Sequence, residues 1–325
     1  MHTLFERALD RSLASLSVAE LERLEQTKGR YKAHFDDISR LLYEALPASD
    51  QSRFVCWFAK RWAGIDRVPA DEFAAYEAEV KRVSSQHYPV ETMDGKPYKR
   101  LSLIPQGFRG ELLTYPWMLG IHDFLFDQYL HAEFRIQPGD TIIDAGAFVG
   151  DTALLFYEIT GGDCEIHAFE VLEENLNLLR HNLSTNEISE CVTICGHALT
   201  NKSNNSVHIK ATPVQGATSI FGTDSGTAVQ TITIDDYVSK QSIARVDLIK
   251  MDIEGAERLA PTGAIETIRR DRPRLAICIY HLWDDISVIP RIINASGVHY
   301  NFSFKWVELR NGWEAVLLCT PAAKN

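Results

Sequence analysis

The stretch Thr141-Ile-Ile-Asp-Ala-Gly-Ala-Phe-Val-Gly-Asp-Thr152 holds the decision about the fold. Thr141-Ile142-Ile143 is β-branched and apolar, and it ends in Asp144. A loop of small residues follows, and Gly150-Asp151-Thr152 opens an amphipathic run. This reads as a strand, a tight turn and the start of a helix. The same alternation continues from about residue 131. Strands are predicted at 141–144, 165–170, 191–196, 246–251, 274–280, 298–304 and 314–320. Helices are predicted at 151–160, 172–183, 255–268 and 284–296. Strands alternating with helices imply an α/β fold with a mostly parallel, Rossmann-like sheet covered on both faces. The last two strands have no helix between them and are predicted to form an antiparallel pair. The span 200–234 breaks the rhythm; within it "SVHIK" and "TAVQTITI" read as hairpin strands.

In such a sheet, ligands bind at the carboxyl ends of the strands. The turn after Asp144 lies there. It lacks the GxGxxG of a dinucleotide fingerprint. Only Gly146 and Gly150 occupy it, and the helix opens on an acid, Asp151, where a pyrophosphate would need positive potential. Asp151 also fits a helix N-cap, and Asp144 a turn carboxylate. Together the two acids suit a cationic, zwitterionic ligand such as S-adenosylmethionine, which Gly146 would let approach the backbone. The next strand closes on "HAFE", placing Glu170 where an acid can accept both ribose hydroxyls. Nicotinamide enzymes use the same device, so the missing phosphate loop discriminates, not Glu170.

A second group lies in "VDLIKMDIEGAE", Val246–Glu257. Asp252 and Glu254 sit just past a strand, and Gly255 releases the chain into a helix. Capping explains one of these acids; two acids and Lys250 within five residues exceed that need. The following strand ends "IYH" at His281, facing the same crevice. Trp283 beyond it reads either as a stacking surface for a sugar or as core.

"DAGAFVGD", "FE", "TITIDDYV", "VDLIKMDIEGAE" and "IYH", in that order, resemble the FkbM family of S-adenosylmethionine-dependent methyltransferases, of the seven-stranded class I fold. The resemblance spans about residues 130–320, and "KMDIEGAE" is its most distinctive piece. It implies O-methylation of hydroxyls on sugars, glycans or secondary metabolites. It also implies that Asp144, Gly146, Ala147, Gly150 and Glu170 contact the cofactor, with Asp151 beside them. Phe148 stands where many relatives carry Asn, Val171 where Pro is common, and Pro261 interrupts the helix after "EGAE". His281 or Asp252 is the expected general base, with Glu254 third. A divalent ion such as Mg²⁺ on Asp252, Glu254 and His281 is the variant of that chemistry. Residues 214–226, polar and small, are expected to lie over the crevice as an acceptor loop.

The rest of the chain divides in two. Residues 1–85 read as helices, with a capping box at Ser17 and Glu20, and carry apolar stripes that could form a core or a homo-oligomer face. Residues 86–130 read as an irregular connection, with room for short strands, packing on the domain at 131–325, with a turn at Asp94-Gly95. With a net charge of −11 and no basic run, long nucleic acid is an unfavourable partner. No apolar stretch reaches the length of a membrane span, the N-terminus is no secretory signal, and six cysteines without a CxxC pair read as reduced thiols. The expectation is a soluble, cytoplasmic protein. The rival readings are a nucleic-acid base methyltransferase, a nicotinamide oxidoreductase and a non-catalytic assembly protein. Asp-Ile-Glu-Gly stands where the first of these would carry a Pro-Pro-aromatic run.

Overall fold

The computed structural model describes residues 2–13, 15–211, 218–219 and 226–323. Its centre is a sheet of seven strands, numbered here in chain order: β1 Asp140–Ala145, β2 Cys164–Phe169, β3 Val192–Cys195, β4 Leu248–Met251, β5 Arg274–Cys278, β6 Tyr300–Trp306 and β7 Ala315–Pro321. The order across the sheet is β6-β7-β5-β4-β1-β2-β3. Strands β1 to β5 run parallel, and β7 is antiparallel to both β5 and β6. Each predicted strand is present within two residues at either end. The chain order reverses between β1 and β4, so the crevice opens at their carboxyl ends. β4 is buried along its whole length, as a central parallel strand requires.

Three segments differ from the sequence reading. The predicted helix 255–268 is instead two 3₁₀ segments, Ala256–Arg258 and Ala260–Ala264, followed by a helix from Ile265 to Asp271. Pro261 has no N–H to give an α-helical bond and crowds the preceding turn, so the α-helix begins only after it. The short strands expected within the irregular connection are joined, at residues 90–114, into a sheet of their own. Val90–Met93, Lys96–Ser102 and Glu111–Thr114 form an antiparallel three-stranded sheet. Asp94 and Gly95, both at positive φ (51° and 74°), make its two-residue hairpin turn. Third, Asp151 is the first helical residue, not the cap. Gly150, left-handed at φ 91°, occupies the cap position. The expected hairpin at 200–234 is present, with Ser206–Ala211 paired antiparallel to Thr227–Ile232.

The apolar stripes of the N-terminal helices face inward. Phe5, Phe54, Trp57 and Phe58 are fully buried in one core shared with the sheet. The helix Ala48–Ala63 covers the edge strand β6. Asp50 accepts the Phe304 N–H at 2.9 Å, and Trp57 donates its indole N–H to the Gly312 carbonyl at 2.9 Å. An edge amide that would otherwise invite pairing with another chain is thereby occupied. All six cysteines are unpaired, and no helix among the described residues is long and apolar enough to cross a membrane.

Candidate active site

At the carboxyl ends of β1, β2, β4 and β5 lies a cavity of about 760 Å³. The sheet provides only its floor. Tyr76 and Val80 reach it from the N-terminal helices, Trp117 to Asp123 from the connecting segment, and Glu308 to Glu314 from the turn between β6 and β7. Of the residues singled out in the sequence, Gly146, Asp151, Glu170, Asp252, Glu254 and His281 line the cavity. Asp144, Ala147 and Gly150 do not; they support it from behind. Trp283 also stands away from it, packed edge-on against Tyr31 and His34 with the Arg30 guanidinium over its ring. Of the expected acceptor loop, only residues 218–219 and 226 belong to the described residues.

The support is ionic. The parallel register of β1 and β4 sets Lys250 beside Asp144, and Lys250 Nζ lies 3.1 Å from Asp144 Oδ1 with both side chains buried. Lys250 also donates to the Gly146 carbonyl at 2.7 Å, and the Thr152 hydroxyl donates to Asp144 at 2.6 Å. Burial presses the Lys250 ammonium toward neutrality. Asp144, Asp252 and Asp151 outweigh it and raise the ammonium's pKa. Gly146 turns the chain at φ 83° directly against β4; a Cβ there would sit 1.8 Å from the Asp252 carbonyl oxygen.

Glu170 follows β2. Its carboxylate accepts the N–H groups of Val171 and Leu172 at 2.6 and 2.8 Å and the amide of Asn175 at 3.1 Å. Asn175 in turn accepts the hydroxyl of Tyr115, whose ring stacks with Phe148 (5.5 Å) and Trp117 (6.3 Å). Phe148 adopts φ 47°, unusual for a bulky residue, and lines the cavity beside the half-exposed Trp117. Asp123 and Asp151 both line the cavity and act on each other's charge. Burial, then repulsion from other acids, raises the proton affinity of both, against the pull of the Lys250 ammonium.

The third group surrounds His281, only 6% exposed. Its Nε2 lies 3.5 Å from Asp252 Oδ1 and 3.6 Å from Glu254 Oε2, and its Nδ1 lies 3.1 Å from Glu257 Oε1. Burial disfavours a charged imidazole; Glu257, then Asp252 and Glu254, override it and push the His281 pKa up to about 10. His281 is therefore a cation at neutral pH. Asp252 accepts the hydroxyls of Tyr129 (3.0 Å) and Tyr280 (3.3 Å), both kept protonated by burial and by Asp252 itself. Glu254, at φ 54°, is more exposed; burial and then the neighbouring acids push its carboxyl up to about 7, against the pull of His281. Neither Asp252 nor Glu254 caps the following turn. Glu257 does, accepting the N–H groups of Ile253 (2.6 Å) and Gly255 (2.8 Å).

The His281 cluster has a stability consequence. Its proton is bound more tightly in the fold than the ordinary histidine value of 6.5. That contribution is complete below about pH 6.5 and is lost as pH rises through about 10. Urea unfolding between pH 7 and 10 should show wild-type stability falling more steeply than that of His281→Gln. Parallel slopes would contradict the ion cluster.

The FkbM methyltransferase domain matches residues 144–311, just over half of the chain. The chain is similar to the crystal structure of methyltransferase FkbM from Methylobacillus flagellatus KT, with 17% identity and a TM-score of 0.57, over 90% of this chain and 60% of that one. It thus spans about 60% of that protein's length. Weaker similarities include the METTL16 methyltransferase domain (12% identity, TM-score 0.46, 82% and 96% of the two chains). Another is Aeropyrum pernix fibrillarin, solved with natively bound S-adenosyl-L-methionine (11% identity, TM-score 0.41, 74% and 86%). Neither of these two is similar enough to bear on the chain's chemistry. No curated protein matches. The strand order, the mostly parallel sheet and the matched domain agree: the chain has a class I methyltransferase fold and belongs to the FkbM methyltransferase family.

Proposed function

We propose that the chain transfers the methyl group of S-adenosylmethionine to a hydroxyl of a neutral, hydroxyl-rich small molecule or glycan. The observation that carries the cofactor assignment is the charge of the cavity beside the Gly146 turn. Asp151 opens the helix there, Glu170 faces the same space, and the buried Lys250 is already paired with Asp144. A pyrophosphate would meet carboxylates where it needs donors; a sulfonium and an ammonium would not. Glu170, oriented by two backbone amides and Asn175, has lone pairs left for the ribose hydroxyls. Gly146 gives the close backbone approach. The Asp123–Asp151 pair offers negative charge to an ammonium. Asp144, Ala147 and Gly150 shape this half from behind.

When bound, the cofactor supplies an electrophilic methyl group. The chain's own residues must place the acceptor oxygen in line and remove its proton. His281 holds a proton at neutral pH, which suits it to orient Asp252 and Glu254 and unsuits it as the base. Glu254 lines the cavity with a proton affinity near neutrality, and we assign it the acceptor's proton. Asp252, held by two tyrosine hydroxyls, orients the acceptor. The exposed faces of Trp117 and Trp313 suit a saccharide ring.

The test is incubation with methyl-¹³C-labelled cofactor and a panel of sugars, glycans and polyols, read by NMR. A new methoxy resonance is expected. Labelled N-methyl or S-methyl products, or no transfer to any hydroxyl, would count against the reading. With a methoxy product in hand, the rate should rise with pH through about 7. Glu254→Gln should remove that limb and lower the rate about 100-fold or more.

A further inference from the structure

Beside Asp252, five side chains close a ring of hydrogen bonds. Tyr129 donates to Asp252 Oδ2 at 3.0 Å. Gln128 Nε2 donates to the Tyr129 hydroxyl at 3.2 Å and to Glu314 Oε2 at 2.8 Å. The Tyr280 hydroxyl completes the ring, 3.3 Å from Asp252 Oδ1 and 3.2 Å from Glu314 Oε2. Gln128, Tyr129 and Tyr280 are buried. Their donors do not suffice for the two carboxylates. Tyr280 has one proton for two oxygens. Both donors to Glu314 sit on Oε2; Oε1 has only the His122 imidazole near it, at 3.9 Å, beyond hydrogen-bond length. Burial, then Arg310, holds the His122 pKa down to about 4, so that ring brings no charge. Burial, then Asp252, pushes the Glu314 carboxyl up to about 7, against Gln128, His281 and Tyr280. Glu314 lines the cavity, and its Oε1 is an acceptor there without a donor.

We propose that Glu314 sets which acceptor is used: its Oε1 accepts a hydroxyl on the ring carbon next to the one that is methylated, so the acceptor is a cyclic vicinal diol. This rests on the methyl-transfer reading, in which Asp252 orients the reacting hydroxyl. Asp252 Oδ1 and Glu314 Oε2 flank one phenol oxygen, so they stand no farther apart than two hydrogen bonds. Two hydroxyls reaching outward to both carboxylates must then lie close together, as on neighbouring ring carbons. The residue before Glu314 supplies a surface for the ring. Trp313 stands edge-on to Tyr280, with 5.6 Å between centroids. The Arg61 guanidinium lies 4.1 Å from the centroid of the Trp313 ring, yet Trp313 is still 42% exposed where it lines the cavity. A saturated ring stacked on Trp313 would lie beside Tyr280, with its edge hydroxyls toward Asp252 and Glu314. The turn holds Glu314 at φ 55°, a conformation that L side chains seldom adopt and that gathers at ligand sites.

The experiment titrates the purified full chain, without methyl donor, with cis- and trans-cyclohexane-1,2-diol and with cyclohexanol, and follows binding by saturation-transfer NMR. The wild type is expected to bind one of the diols about 10- to 100-fold more tightly than cyclohexanol, the scale of a hydrogen bond to a charged group. Glu314→Met keeps the length and removes the carboxylate. It should bring the diol down to the affinity of cyclohexanol and leave cyclohexanol itself unchanged. Glu314→Gln keeps one acceptor oxygen and should show a reduced ratio; it decides if Glu314→Met does not fold. A role confined to holding the turn would change all three ligands alike and leave the ratio where it was. No diol binding, equal affinity for diol and cyclohexanol, or a wild-type ratio in the variants would overturn the proposal. A diol preference without a methoxy product on labelled cofactor would count against methyl transfer and leave this subsite standing. A methoxy product on cyclohexanol as readily as on the diols would do the reverse.

Discussion

Gly146→Ala is expected to be among the most damaging single substitutions in the chain. The new methyl would lie 1.8 Å from the Asp252 carbonyl oxygen, a backbone atom that cannot rotate away. At φ 83° the alanine also pays the left-handed penalty, about 1–2 kcal/mol. Forcing β1 and β4 apart adds about 1–3 kcal/mol on the scale of overpacked cores. A loss of about 3 kcal/mol or more in urea unfolding should follow from these two costs together, along with loss of cofactor affinity. Gly139→Ala separates the two causes. Gly139 has φ 84°, but a Cβ there would meet nothing within 4 Å. It should show only the conformational part and leave the cavity intact. Equal costs at both positions would mean that the strand contact contributes nothing.

Lys250→Met should be comparably severe. Asp144 is 0% exposed, and without the ammonium its charge keeps only the Thr152 hydroxyl. Breaking a buried pair from one side costs about 3–5 kcal/mol, because the remaining charge has neither water nor counter-ion. The double variant Lys250→Met/Asp144→Asn removes that charge and should recover much of the loss. Additive single-variant effects in the same denaturation series would show that the pair does not act as a unit. The Gly146 carbonyl also loses its donor, so recovery is expected to be incomplete.

What was legible in the sequence follows from what periodicity and composition encode. Strand-like segments ending in acids, β-branched in β1, located β1, β2 and β4, and with them Asp144, Glu170, Asp252 and Glu254 at the carboxyl edge. "IYH" put His281 in the same crevice. Less legible was the direction in which each acid points. Asp151 reads equally as a cap or a cavity carboxylate, and only the left-handed Gly150 at the cap position decides. Glu257 lay inside the quoted motif, but its capping of the turn depends on the 3₁₀ geometry after Gly255, which Pro261 helps impose. Asp123 and Tyr129 had no signal, because they sit in a segment without period, and Glu314 opens a predicted strand with nothing to mark it; long-range packing brings all three to the cavity. The wall contributed by Tyr76 and Val80 was hidden for a different reason. A helical stripe does not say whether its partner is another helix or the mouth of a site.

The central claim is that the Gly146 turn holds a nucleoside sulfonium and not a phosphate. The most direct measurement is calorimetric titration of the purified chain with S-adenosylhomocysteine, with NAD in parallel and Glu170→Ala as the comparison. Saturable binding of the first ligand and none of the second is predicted. In the variant the affinity should be about 10- to 100-fold weaker, the scale of one or two hydrogen bonds to a charged group. Binding of NAD without S-adenosylhomocysteine, or S-adenosylhomocysteine binding indifferent to Glu170, would contradict it.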